Sequence, residues 1–452
     1  MVQGPLLFVI LISGVAFIVL ATAKFKLHPF LGLLIAAFGV GIAAGVPLNE
    51  VVQAINGGFG DLMSYIGIVI VAGTIIGKIL DKSGAALRMA ETVLRVVGES
   101  RPQLAMSLIG AIVSIPVFCD SAYIILSSLN KALAKRAKVS LASMSVALAT
   151  GLYATHTLVP PTPGPIAAAG NIGASQYLGT IILIGFTVAI PVIMAGYFWA
   201  TRVADKIKIK GEEAEGLSYS EVTKSFGVLP SAAKAFTPIL LPIVLIGTGS
   251  IINYIQWTGK SADILLFLGT PAVALLIGIF SAFPLLPKWN KETLTGWVGE
   301  GLQDAAIILL LTGAGGAFGA VIRVTPVAEV IQGFAGEEAM NGAFMLLIPF
   351  FVAAALKTAQ GSSTAALVIT SALISPMLTE AGIVGAVPLA LVVMAIGAGA
   401  MAVSHVNDSY FWVVTQFSGL KVADAYKAQT MATLVQGVTA IVATMLLWVI
   451  LV

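Results

Sequence analysis

Apolar runs long enough to cross a bilayer occupy most of this 452-residue chain. A transmembrane helix needs about 20 predominantly apolar residues. Such runs lie near 5–22, 30–47, 64–80, 141–157 and 177–200, then near 238–255, 263–283, 304–322, 384–405 and 430–452. Only 10% of the residues are charged and 58% are hydrophobic, whereas a soluble domain carries about 25% charged residues. That balance excludes an ordinary soluble enzyme, a nucleic-acid binder and a disordered chain. The first run lacks a basic segment before it and leads straight into further runs, so it reads as a span and not as a cleaved signal peptide. The net charge of +3 gives no reason to expect a nucleic-acid partner, and Cys119, the single cysteine, leaves no intrachain disulfide.

Two apolar stretches depart from the pattern. Residues 102–134 and 341–378 are each interrupted near the middle, by PVFCDSA (Pro116 to Ala122) and by KTAQGSST (Lys357 to Thr364). The halves are short for spanning helices. Each stretch reads as a re-entrant hairpin that enters the membrane, turns at a polar tip and leaves on the same side. Such backbone is tolerated where protein or a water-filled cavity satisfies it. Two ordinary spans with a short loop are the alternative.

The basic residues test this count. With ten spans and two non-crossing hairpins, all of the 24 Lys and Arg residues fall on one face except Lys260, Arg323 and Lys357. By the positive-inside rule that face is cytoplasmic, which puts both termini outside, in the periplasm of an inner-membrane protein. Residues 201–235, the longest hydrophilic segment, read as a cytoplasmic linker.

The two halves resemble each other. INGGFGDLM from Ile55 is similar to WVGEGLQDA from Trp297, Gly73 and Gly77 to Gly313 and Gly316, Asp120-Ser121 to Ser362-Ser363, and GLYATH from Gly151 to GAMAVSH from Gly399. The offset between them is nearly constant, as an internal repeat requires. Each half holds five crossings, an odd number, so the second is upside down relative to the first. The expected fold is an all-α polytopic membrane protein of two inverted-topology repeats, 1–200 with hairpin 102–134 and 236–452 with hairpin 341–378. Inverted repeats with broken helices are the architecture of secondary transporters, whose sites lie near the midplane.

Four polar breaks are the candidate site. The tips offer Asp120 and Ser121, and then Gln360, Gly361, Ser362, Ser363 and Thr364. The run THTLVPPTPGP, with Thr155, His156 and Thr162, has prolines that end a helix. SHVNDSYFW, with His405, Asn407 and Asp408, has no proline. A helix starting at a break aims free N–H groups and a positive dipole end at an anion. The hydroxyls there either donate to a ligand or cap the helix. Ionisable residues at membrane depth are functional candidates, here Asp120, His156, Lys357, His405 and Asp408. Asp120 and Asp408 are candidate proton carriers, because removal from water penalises a charged carboxylate. The alternative for Asp408 is a structural carboxylate at the cytoplasmic end of its span. Lys357 either meets a substrate carboxylate or pairs within its hairpin. No arginine lies in the breaks, so hydroxyls, imidazoles, Asn407 and helix ends would hold a small hydroxylated carboxylate. Sequences matching HExxH, the Walker A loop or GxSxG are absent, so neither a zinc protease nor an ATP-driven pump is supported, and no metal or cofactor is expected.

The runs DKSGAA from Asp81, IPVFCDSAYIIL from Ile115, THTLVPPTPGP from Thr155, GSSTAA from Gly361 and HVNDSYFW from His405 resemble the gluconate permease family, GntP, of the ion transporter superfamily. The resemblance implies proton-coupled uptake of gluconate or related sugar acids, with D-serine or other small hydroxy acids as alternatives. It also implies homodimers with a scaffold domain and a mobile transport domain that carries the hairpins. Sodium is the alternative coupling ion. A passive organic-acid channel and a membrane-embedded enzyme are the rival classes, and the inverted repeat speaks against both.

Overall fold

The computed structural model describes residues 1–25, 27–98, 100–209, 224, 226–326, 342–406 and 408–452. Every regular element among them is helical. In chain order these are α1 (Gly4–Ala23), α2 (Pro29–Ala43), α3 (Leu48–Lys82), α4 (Ala85–Val97), α5 (Pro102–Val113), α6 (Cys119–Ala137), α7 (Leu141–Leu158), α8 (Pro163–Asn171) and α9 (Leu178–Arg202). There follow α10 (Ala232–Tyr254), α11 (Lys260–Gly269), α12 (Pro271–Ala282), α13 (Val298–Arg323), α14 (Leu347–Gln360), α15 (Ser363–Glu380), α16 (Ala386–Met401) and α17 (Ser409–Ser418). The last, α18, is Val422–Leu451. Residues 210–223 and 225 of the expected linker, 201–235, lie outside the described residues.

Helices occupy the expected apolar runs, but not always as continuous spans. Among the described residues four helices are long and apolar enough to cross a membrane alone, and two bent pairs bring the number to six. The run near 263–283 is not one helix. Thr270 is extended between α11 and α12, which bend by 69°, because Pro271 disfavours helical geometry in the residue before it and offers no N–H. The runs near 30–47 and 384–405 end early, at Ala43 and Met401. The run near 64–80 is the second part of α3, a 35-residue helix that bends by 48°. Between α3 and the first hairpin, α4 buries Leu87, Met89 and Val93 while Arg88 pairs with Glu91 at 2.8 Å and donates to the Pro230 carbonyl.

Each interrupted stretch is a pair of helices separated by a short turn. In the first, residues 114–118 separate α5 from α6. In the second, Gly361 takes a left-handed φ of 82° and ends α14, a conformation that glycine adopts without strain. Two further helices are broken. The turn 159–162 separates α7 from α8, and 402–408 separates α16 from α17. The second break forms without proline. Its polar backbone is satisfied from α18, where the Thr433 hydroxyl accepts from Ser404 N–H and the Thr430 hydroxyl donates to the Ser404 carbonyl.

The helices α7 and α16 form the centre. Every residue of α7 is buried, as is α16 from Leu389 to Met401. A helix apolar on all sides belongs in such a place. Each approaches the first helix of a hairpin through a glycine. Gly151 of α7 lies against the Ser107 carbonyl of α5, and Gly399 of α16 lies against the Phe350 carbonyl of α14. The long helix α3 passes both breaks of the first half in the same way, with Gly73 against the Pro161 carbonyl and Gly77 against that of Pro116. In lipid, close backbone approach through small residues replaces the hydrophobic drive that packs soluble helices.

This geometry leaves no room for a side chain. Gly151→Val and Gly399→Val should each cost about 1–3 kcal/mol through overpacking, read as a lower thermal unfolding midpoint in detergent. An unchanged midpoint for both would contradict the packing described.

Candidate functional site

Residues from the turn after α14, the α16–α17 break, the start of α6 and the end of α7 gather around one buried pair. Lys357, one turn before the tip of the second hairpin, has no exposed surface, and its Nζ lies 2.6 Å from Oδ2 of Asp408 in the α16–α17 break. The same ammonium donates to the Gly361 carbonyl at 2.7 Å and stands 5.7 Å from the centre of the Tyr153 ring. The Asp408 carboxylate accepts from the Ser404 hydroxyl through Oδ2 and from Tyr410 N–H through Oδ1 at 3.1 Å, which caps α17. Burial of two charges is costly unless the pair is close and the remaining hydrogen-bonding positions are filled. These contacts meet that condition.

Aromatic residues from three helices close around the pair. Tyr153 of α7 bonds its hydroxyl to Ser363 Oγ at 2.6 Å, across to the start of α15. Its ring stacks on Tyr410 at 5.1 Å, and Tyr123 of α6 meets Tyr410 edge-on. The Tyr410 hydroxyl donates to the Ala149 carbonyl. Tyr153, Ser404 and Tyr410 were not singled out from sequence. Tyr153 had a usable signal, since three residues before His156 on one helix it faces the same way.

Two of the expected site residues bring unmet hydrogen-bonding capacity to this cluster. Asp120 and Ser121 stand in the first turn of α6, which no side chain caps. Asp120 Oδ2 faces the Cys119 thiol at 3.6 Å, while the buried Oδ1 has no partner. Ser409, at the start of α17, lies within hydrogen-bonding reach of the Asp120 side chain, and the nearby charges are Asp408 and Lys357. His156, buried near the end of α7, has its Nδ1 unpartnered and its ring 5.9 Å from Phe118. Lys357 and Asp408 are the charges acting on it too. Buried polar atoms without partners are rare in folded proteins and each calls for an explanation.

The other expected residues divide. Ser363 belongs to the cluster through Tyr153. Ser362 is exposed and caps α15, its hydroxyl accepting from Ala365 N–H at 3.2 Å. Gly361 supplies the carbonyl that holds Lys357, and Thr364, half-buried, stands in the first turn of α15. His405 is half-buried and its Nε2 faces the Thr358 carbonyl at 2.9 Å. It does not occupy an environment matching that of His156. The Thr155 hydroxyl donates to the Ala111 carbonyl of α5 and the Thr162 hydroxyl to the Val159 carbonyl, so both serve the backbone. Asn407 lies outside the described residues.

A buried lysine and two carboxylates at helix breaks, closed in by hydroxyls and imidazole, can bind and release a small anion together with a proton. The arrangement contains no activated nucleophile of the serine–histidine or cysteine–histidine kind among the described residues.

Comparison with known proteins agrees with a membrane transporter. The sequence profile described as GntP family permease matches residues 5–450. A gluconate permease of Pseudomonas aeruginosa is 32% identical, covering 97% of this chain and 96% of its own. The D-serine transporter DsdX of Escherichia coli is 31% identical and covers 97% of both chains. Among solved structures, the Alcanivorax borkumensis YdaH transporter superposes with a TM-score of 0.62 over 93% of this chain and 97% of its own, at 15% identity, a likeness of fold alone. The chain belongs to the GntP permease family.

Proposed function

We propose that this permease is a symporter that takes up gluconate or a related small hydroxylated monocarboxylate together with protons. The observation that carries this reading is one cluster of buried His156, Lys357 and Asp408 with half-buried Asp120, whose Oδ1 is buried without a partner. A lone lysine suits one carboxylate. The unpartnered Asp120 Oδ1 and His156 Nδ1 suit hydroxyl groups beside that carboxylate. A relative that carries D-serine fits the same chemistry, with an ammonium group in place of a hydroxyl, so D-serine is the second reading.

The proposed frame is two inverted repeats, 1–200 and 236–452, joined by 201–235 on the cytoplasmic side of the inner membrane with both termini in the periplasm. The matching glycine contacts at Gly151 and Gly399 support the repeat. The segregation of basic residues supports the orientation. A homodimer, in which a domain carrying the hairpins moves against a fixed one, completes the proposal.

Two measurements test it. Protein reconstituted in vesicles should accumulate gluconate when the medium is acidified, and Asp120→Asn should lower that uptake by about tenfold or more, ~1.4 kcal/mol. His156→Ala should weaken apparent affinity more than His405→Ala, because only His156 has a free ring nitrogen in the cluster. Wild-type uptake by Asp120→Asn and by His156→Ala would remove the cluster from the site.

Electrical recording separates the coupling schemes. One proton moving with one monoanion carries no net charge and gives no current. A second proton gives an inward current and adds about 2.3 kcal/mol per 100 mV, roughly fiftyfold in accumulation. A substrate-induced current that follows sodium and ignores pH would refute proton coupling.

A further inference from the structure

We propose that Lys357 is the cation that receives the substrate carboxylate, and that Asp408 is its resting counter-ion, displaced by the substrate and neutralised by the coupled proton. The inference rests on the transport reading above and assigns that site's charge exchange.

The argument is one of charge and valence. The Lys357 ammonium has no exposed surface, and the pair joins the end of α14 to the α16–α17 break. It has three N–H donors. One serves the Gly361 carbonyl and one serves Asp408. The first bond is local to the hairpin and holds the ammonium at the tip. The second crosses to another element and is the one an incoming carboxylate can replace. Adding a monoanion to a buried pair without compensation would leave one unbalanced negative charge at low dielectric, which is strongly disfavoured. A proton on Asp408 removes that imbalance. The exchange balances: the substrate carboxylate pairs with Lys357, one proton from solvent binds an Asp408 oxygen, and the total charge of the site is unchanged.

Asp408 is built to survive the loss of its partner. Its Oδ1 still accepts from Tyr410 N–H, and a proton on Oδ2 can be donated to the Ser404 hydroxyl oxygen, which already touches that atom. Ser404 is itself fixed by Thr430 and Thr433. The other titratable and charged groups facing the pair are Asp120 and Cys119 from α6, and Tyr153 and His156 from α7. Asp120 is the competing proton acceptor. It feels Lys357 only at a distance and makes no direct ion pair among the described residues, so substrate binding changes its environment less than that of Asp408.

Proton uptake during binding tests the exchange. Purified full-length protein in detergent, weakly buffered, is titrated with gluconate, and with D-serine as a second probe, while a pH indicator reads protons taken up. Wild type should take up about one proton per bound ligand, and affinity should fall about tenfold per pH unit where the resting pair is ionised. Asp408→Asn keeps a capping side chain and should abolish the linked proton and flatten the pH profile. Lys357→Gln should lose binding by at least about tenfold. Proton uptake that persists in Asp408→Asn, or that vanishes in Asp120→Asn and not in Asp408→Asn, overturns the exchange. So does a flat wild-type pH profile, whether or not any variant folds. Binding without a linked proton refutes the exchange and leaves the transport reading standing. No binding of either probe by wild type refutes both.

Discussion

The structure depends on a lysine ammonium held entirely out of solvent. Each buried ion costs several kcal/mol to desolvate, and removing one partner of such a pair typically costs about 3–5 kcal/mol. Lys357 and Asp408 offset that cost with a short contact, the Gly361 carbonyl, the Ser404 hydroxyl and the Tyr410 amide. The groups involved come from the second hairpin, the break after α16 and the start of α17. The pair therefore ties the turn after α14 to the break after α16. Any movement of one relative to the other must first release a buried charge, so the two are energetically bound to move together.

Irregular backbone at this depth needs equally specific support. The tips and turns carry N–H and C=O groups that helices would otherwise satisfy, and lipid offers no replacement. The protein answers with threonine and serine hydroxyls and with close glycine contacts. Thr430 and Thr433 serve the α16–α17 break, while Thr155 and Thr162 bond to carbonyls near the α7–α8 break. Gly73 and Gly77 let α3 run against both irregular segments of the first half. Several hydroxyls that looked like ligand donors in the sequence thus hold the scaffold on which the ligand donors stand.

Hydropathy made the apolar helices legible, and polar interruptions made the hairpins legible. Proline chemistry gave the break after α7. The bend at Pro271 was passed over, because a count of apolar residues reads 263–283 as one span. The break after α16 had no local cause in SHVNDSYFW. It arises from hydroxyls on a helix some 30 residues later, and no window of sequence contains both. The cluster was legible where charge is expensive, since Asp120, His156, Lys357 and Asp408 all stand in it. Tyr153 and Tyr410 were hidden because an aromatic in an apolar helix resembles core. Their hydroxyl bonds to Ser363 and to the Ala149 carbonyl exist only after folding. His405 occupied the repeat position of His156, yet repeat position fixes the backbone and not the neighbours.

In the proposed frame of two repeats, the halves differ in the way a site for an asymmetric ligand requires. The first hairpin presents a carboxylate, Asp120, and the second presents an ammonium, Lys357, at the opposing tip. One repeat supplies an imidazole with a free nitrogen, and the other turns its imidazole to a backbone carbonyl. A symmetric site would face a small hydroxy acid with the same group at both ends. In the proposed site the cation meets the carboxylate end, while Asp120 and His156 are left to the hydroxyl-bearing end. Orientation of the ligand then follows from electrostatics, because the reversed pose would bring its carboxylate against Asp120 and leave the lysine to a neutral hydroxyl.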